Sequence, residues 1–177
     1  MVLSLFRRRA SRNVVERLYG EIVAASRQPS LYAPPCGVAD TLEGRFELLT
    51  LHAYLVLRRL AALPPPAPDL AQDLANRIFA GFDAALREMG VGDLTVPKRM
   101  KTLAENFGGR QAAYAQALEG SEALEAALAR NVYGADDPRA AGPLAAYIRA
   151  AAAAVDQAPF AAFERGPVPF PPPEFPP

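Results

Sequence analysis

The sequence predicts an all-α protein: a single compact bundle of about six to eight helices with a Pro-rich C-terminal extension. Three observations carry that prediction. Apolar residues recur at three- and four-residue steps through most of the 177-residue chain. No stretch alternates apolar and polar residues with the period of two that a half-buried strand needs. Proline and glycine clusters separate the periodic stretches at helix-to-helix distances. Hydrophobic residues make up 51% of the chain, enough for a core and too many for a disordered polymer.

Residues 1–10 form a basic lead in which Val2, Leu3, Leu5 and Phe6 precede Arg7, Arg8 and Arg9, with Arg12 close behind. Apolar residues before arginines is the reverse of a secretory signal. Such a lead suits an anionic membrane surface or ribosomal RNA, or else is a loose, solubilising terminus. From Ser11, a candidate cap, a first helix is expected to about Arg27, with Val15, Leu18, Ile22 and Val23 inward. Pro29 stops it, and residues 28–40 read as a loop carrying Pro34-Pro35-Cys36-Gly37.

The second helix is the clearest element. Asp40 with Glu43 resembles a capping box, and Thr41 is the alternative cap. Phe46, Leu49, Thr50, Ala53, Leu57 and Leu60 form a stripe, and Leu48, Leu51 and Leu55 add apolar character on other faces. A helix apolar on most sides is expected at the centre of the bundle. Pro64-Pro65-Pro66 ends it. A third helix is expected from Asp69, with Gln72 completing a capping box, on the stripe Leu70, Leu74, Ile78, Phe82 and Leu86, with Gly90 at its C-terminal end.

Thr95 and Pro97 open a fourth helix. Val96, Met100, Leu103 and Phe107 fall in a narrow arc, with Lys98 and Lys101 on the far side and Arg99 on a flank. Gly108-Gly109 is expected to break or kink it before Tyr114 and Leu118 resume the inward face. Ser121 is the expected cap of a helix to about Asn131, on Leu124, Leu128 and Val132. Asp137-Pro138 and Pro143 mark the start of the last long helix, on Leu144, Tyr147, Ile148, Ala151 and Val155. Residues 11–165 thus read as the helical domain. In 166–177, seven of twelve residues are proline, so that tail is expected to be extended. It either serves as a ligand for an aromatic-lined groove or folds Phe170 and Phe175 back onto the domain.

Composition excludes several function classes. Nineteen basic and nineteen acidic side chains cancel, which argues against a wholesale nucleic-acid binder and against DNA as a partner. One cysteine, Cys36, and one histidine, His52, allow neither an internal disulfide nor a zinc cluster. No apolar run approaches the ~20 residues of a membrane span. A soluble protein of a reducing compartment is expected, hence a cytoplasmic one. Seventeen arginines against two lysines, with abundant alanine, read as the coding bias of a GC-rich bacterial genome. The sequence holds no phosphate-binding loop, dinucleotide fingerprint or nucleophile elbow. No catalysis and no cofactor are therefore expected. A Cys36–His52 nucleophile pair lacks any sign of a lowered thiol pKa, and Asp136-Asp137 beside Pro138 reads as a helix cap.

Two constellations remain. Arg45, His52 and Arg59 are spaced by seven, two helical turns apart, and share one face of the second helix. They read as a solvated stripe, as a patch facing a partner, or as a buried Arg45 held by a carboxylate, since a desolvated guanidinium must be paired. The second is Arg87-Glu88-Met89-Gly90-Val91-Gly92-Asp93 followed by Lys98-Arg99-Met100-Lys101, a glycine turn before three cations in four residues. It reads as a solvated face or as a basic knob for a partner.

The runs Gly37–Leu49 with Leu51-His52, Leu86–Leu94 and Val96–Lys101 resemble the two signatures of the ubiquinol–cytochrome c chaperones. Phe107, Gly109-Arg110, Tyr114 and Arg130-Asn131-Val132-Tyr133 fit the same pattern, and the resemblance covers about residues 14–157. Gly108 departs from it, standing where an aromatic, typically tyrosine, is expected. The resemblance implies a non-enzymatic chaperone for assembly of the cytochrome bc1 complex that holds newly made cytochrome b. Mitochondrial members act with a small partner protein at the ribosomal tunnel exit; this chain would be a bacterial counterpart, cytoplasmic and peripheral at the inner membrane. An apolar groove with a charged rim would serve that task. Arg45, Arg87, Lys98, Arg99, Lys101 and Arg110 are the expected partner-binding residues, with Asp40, Glu88, Asp93, His52 and Arg59 in support. A ribosome- or RNA-binding module using the basic patches is the alternative. A haem-handling protein with His52, and Cys36 with it, as iron ligands is a weaker one.

Overall fold

The computed structural model describes residues 2–175, with side chains from residue 12 onward. Its described residues are helical, with no strand: α1 (Val2–Ser26), α2 (Pro29–Tyr32), α3 (Leu42–Ala62), α4 (Ala67–Glu88), α5 (Val96–Leu118), α6 (Leu124–Leu128), α7 (Gly142–Gln157) and α8 (Phe160–Arg165). A π-helical turn, Ala129–Tyr133, continues α6, and a 3-10 turn, Pro138–Ala141, leads into α7.

The central position expected of the second helix belongs to α3, which packs against α1, α4, α5, α7 and the π-helical turn. Its most deeply buried leucines are Leu48, Leu51, Leu55 and Leu60, while Phe46, Leu49 and Leu57 are only partly buried. Thr50, Ala53 and Leu60 of the expected stripe are fully buried too, so the helix faces the core on most sides because neighbours surround it. On α4 the stripe reads as expected, with Leu70, Leu74, Ile78, Phe82 and Leu86 all buried. The same holds on α7 for Leu144, Tyr147, Ile148, Ala151 and Val155.

Element starts differ in instructive ways. The backbone of α1 is already helical at Val2, so Ser11 lies inside the helix and not at its cap; the side chains of the basic lead lie outside the described residues. For α3 the alternative cap is used: Thr41 Oγ1 accepts from the Gly44 N–H at 3.2 Å, while the Asp40 carboxylate pairs with Arg45. The capping box at Asp69 and Gln72 does not form, because α4 opens earlier, after Pro66 with Pro68 in its first turn. Ser121 caps nothing, and α6 starts from Ala123.

Gly90 sits at φ 78° just past α4, its N–H on Arg87 O and the Val91 N–H on Leu86 O, the left-handed closure that glycine favours. The expected break at Gly108-Gly109 is absent; α5 runs unbroken from Val96 to Leu118. Two helical glycines cost about 2 kcal/mol together, and burial of Phe107 and Tyr114 on either side outweighs that.

The tail is extended and folds back on the domain. Arg17 donates to the carbonyls of Phe163 and Gly166, and Val168 N–H donates to Glu21 at 2.7 Å. Val168 is buried, and Phe170 and Phe175 pack on the core. Of the two roles open to the tail in the sequence, this arrangement is the strap. The short helix α8 before it has no counterpart in the sequence reading.

Candidate partner-binding groove

Two adjoining concavities open where α3, α4 and α5 meet. The first, about 210 Å³, lies between Tyr19 and Val23 of α1, Leu42, Phe46 and Leu49 of α3, and Phe82, Leu86 and Met89 of the α4 end. The second, about 680 Å³, runs from Leu42, Phe46 and Glu47 across to Thr95, Lys98, Arg99, Leu103 and Arg110 of α5, and to Asn131 and Val132 of the π-helical turn. They share Leu42, Phe46, Leu86 and Leu103, so together they form one groove with an apolar floor. Phe46 rests on Phe82 at 5.4 Å between ring centroids, and Phe79 and Phe107 complete the aromatic cluster beneath.

Two close approaches shape this groove. A Cβ at Gly44 would lie 2.0 Å from Ala39 O, so glycine lets the 37–41 loop close over the start of α3. A Cβ at Gly81 would lie 2.3 Å from the Tyr19 hydroxyl, so Tyr19 enters the groove wall across bare backbone. The Arg77 guanidinium stacks on the Tyr19 ring at 4.0 Å while binding Glu16 at 2.8 Å, which holds that ring in place.

Of the residues expected to meet a partner, the structure gathers Arg45, Lys98, Arg99 and Arg110 around this groove. Arg45 is exposed and held by both oxygens of Asp40, at 2.6 and 3.1 Å. That hydrogen bonding lowers the Asp40 pKa. Lys98 and Arg99 are exposed, with no carboxylate in ion-pair reach among the described residues. Arg87 stands apart: it clamps Asp83 at 2.7 Å and Asp93 at 2.5 Å across the glycine turn, so Asp93 positions the loop. Lys101 leans toward Glu105 at 3.8 Å on the outer face of α5, and Glu88 is exposed at the end of α4.

The spacing of Arg45, His52 and Arg59 does not produce a single patch. One helix face passes successively through solvent, core and inter-helix seam. His52 is fully buried; Nδ1 lies 2.7 Å from Leu48 O and Nε2 lies 2.9 Å from the Tyr147 hydroxyl. A carbonyl only accepts, so Nδ1 carries the proton and Nε2 accepts from Tyr147. Phe170 of the tail covers the ring edge-on at 5.1 Å. Burial pushes the imidazole pKa down to about 4. Both ring nitrogens are committed, which leaves His52 none for iron. Arg59 is half-buried and donates twice to Ala158 O, at 3.0 and 2.9 Å, tying α3 to the end of α7. Cys36 is equally occupied, buried beside the Tyr133 hydroxyl at 3.5 Å, and burial raises its thiol pKa.

Arg45 is not the buried, carboxylate-held arginine that was one reading of this face; the arginine held by a buried carboxylate is the half-buried Arg110. Glu47, 6% exposed, takes Arg110 Nε on both oxygens at 2.9 Å and the Tyr114 hydroxyl at 3.3 Å. Arg110 is therefore the wall of the groove, braced from behind, and not a free rim cation. The sequence reading does not single out Glu47. Its signal in the sequence is the one acid beyond the first turn of a helix apolar on most sides, where burial requires a partner.

Fold and site together define an all-helical protein with an apolar groove, two exposed cations on its rim that have no ion-pair partner among the described residues, and braced charged walls. Comparison with known proteins makes that class specific. The chain matches the family model of the ubiquinol-cytochrome C chaperones over residues 35–170 and belongs to that family. It is also similar to the Cbp3 homolog from Brucella abortus, a crystal structure, with 40% identity, a TM-score of 0.83 and 96% of each chain covered. No curated protein matches it. Among the described residues no helix is long and apolar enough to cross a membrane.

Proposed function

We propose that this chaperone holds newly made cytochrome b in the groove between α3, α4 and α5 during assembly of the cytochrome bc1 complex, without catalysing a reaction. The observation that carries this reading is the pairing of an apolar floor, Phe46, Leu86 and Leu103, with the exposed cations Lys98 and Arg99 at its edge, which have no ion-pair partner among the described residues. An apolar segment of an unassembled membrane protein needs cover from water, and rim cations select and orient it at modest cost in desolvation. Such a client places the chaperone on the cytoplasmic face of the inner membrane.

The test is the reduced-minus-oxidised absorption spectrum of membranes from a strain lacking the protein. Selective loss of the b-type haem signal of the bc1 complex is expected, restored by the wild-type chain. The triple variant K98E/R99E/K101E is expected to fail in restoring it while keeping its helical circular dichroism. An unchanged spectrum overturns the reading, and full rescue by the folded triple variant removes this rim from it.

The family resemblance also implies a small partner protein and the ribosomal tunnel exit. The same exposed cations, Lys98 and Arg99, favour a phosphate contact there, which predicts ribosome binding that weakens steeply with salt. Salt-indifferent co-sedimentation with ribosomes counts against it.

A further inference from the structure

The three exposed large apolar side chains among the described residues lie in or beside the two adjoining concavities. They are Leu94, 98% exposed, Leu42, 54%, and Met89, 49%. Leu42 and Met89 share the wall of the first concavity, and Leu42 shares the second with Thr95, the neighbour of Leu94. Leu94 itself packs on nothing. It tips the connection between α4 and α5, residues 89–95, which carries the glycines at 90 and 92.

The charge around that tip is arranged, too. Arg87 binds both Asp83 and Asp93, so the acid beside Leu94 is neutralised by the same clamp that holds the turn. Glu88 is the acid of this segment left without an ion-pair partner among the described residues. One turn past the tip, Lys98 and Arg99 are exposed. A turn with one fully exposed leucine and two exposed cations four and five residues on suits the layering of an anionic bilayer surface. The apolar tip reaches the acyl boundary while the cations meet lipid phosphates. A protein partner would instead need a pocket shaped for a single protruding side chain.

We propose that the α4–α5 turn is a membrane-contact site for anionic phospholipid, with Leu94 inserted and Lys98 and Arg99 at headgroup depth. It rests on the membrane location that the proposed client gives the chaperone, but purified chain with pure lipid tests it with no client present, so the two readings fail separately. The chain contains no tryptophan, so Leu94→Trp gives a single reporter at the tip.

With vesicles of phosphatidylglycerol and phosphatidylcholine, the Leu94→Trp emission is expected to shift to the blue and to be quenched by lipids brominated on their acyl chains. Vesicles of phosphatidylcholine alone are expected to give a much smaller response, and added salt to weaken binding. In co-sedimentation of otherwise unaltered full-length chain, Leu94→Ser is expected to lower partitioning roughly tenfold, and K98E/R99E at least about tenfold. All variants keep the N-terminal lead, so its contribution cancels. Tryptophan emission unmoved by vesicles that sediment the protein overturns the proposal. So does partitioning of Leu94→Ser equal to wild type, including the case where Leu94→Ser impairs only assembly of the bc1 complex in cells, which would make the tip a protein contact.

Discussion

His52 is the only histidine in the chain, and its environment can be read directly in solution. Its folded pKa of about 4 lies below the unfolded value near 6.5. The unfolded chain therefore binds a proton that the native chain refuses. Stability is complete above about pH 6.5 and falls as the pH drops toward 4. Between pH 6.5 and 5 the loss from this residue is about 2 kcal/mol, above the range where most carboxylates titrate. Urea unfolding at the two pH values is expected to show that loss in wild type and to lack it in His52→Gln. Equal losses in both would assign the pH sensitivity to other groups. Sequence spacing placed His52 correctly on a face with Arg45 and Arg59, yet it held no information on what covers that face. Tyr147 is 95 residues away and Phe170 is farther still. The Glu47–Arg110 pair was hidden for the same reason: its members lie on different helices, 63 residues apart.

At the scale of elements, most of the helices were legible. Long amphipathic repeats define α4 and α7, and the all-round apolar character of α3 announced its central place. Boundaries were less so, because several capping candidates compete locally and neighbouring helices choose among them. Thr41 prevails over Asp40 once Arg45 takes the aspartate. The glycines show the contrast most sharply. Gly44→Ala drives a methyl into the Ala39 carbonyl and is expected to cost about 1–3 kcal/mol. Gly108→Ala meets nothing within 4 Å in the middle of α5 and is expected to stabilise by about 0.5–1 kcal/mol. Thermal unfolding followed at the helical signal should move in opposite directions for the two. A drop for both would overturn the reading of Gly108 as an unconstrained glycine inside α5.

For the whole molecule, the tail is the element that closes the fold. It is fastened to α1 through Arg17 and Glu21 and lays Phe170 over the buried His52. A chain ending at Arg165 gives up the burial of Val168 and Phe170, about 3–5 kcal/mol together. Its unfolding midpoint is expected to fall by roughly 10 °C, and its single imidazole resonance to titrate closer to pH 6. An unaltered midpoint and an imidazole that still resists protonation would mean the strap contributes nothing to the core.

Fold class, the central helix and the stripes of α4 and α7 were determined by the sequence alone, which also named the candidate cations. Those properties follow from periodicity and residue type, which are local. The resemblance carried by the runs at 37–49 and 86–101 named the family that the comparison then established. Tertiary structure alone decided which cations are braced, that His52 is sealed in the core, and that the exposed large apolar side chains lie in or beside the two adjoining concavities. Each of those depends on contacts between segments far apart in the chain. Burial and pairing are properties of the space between helices, and no single helix encodes that space.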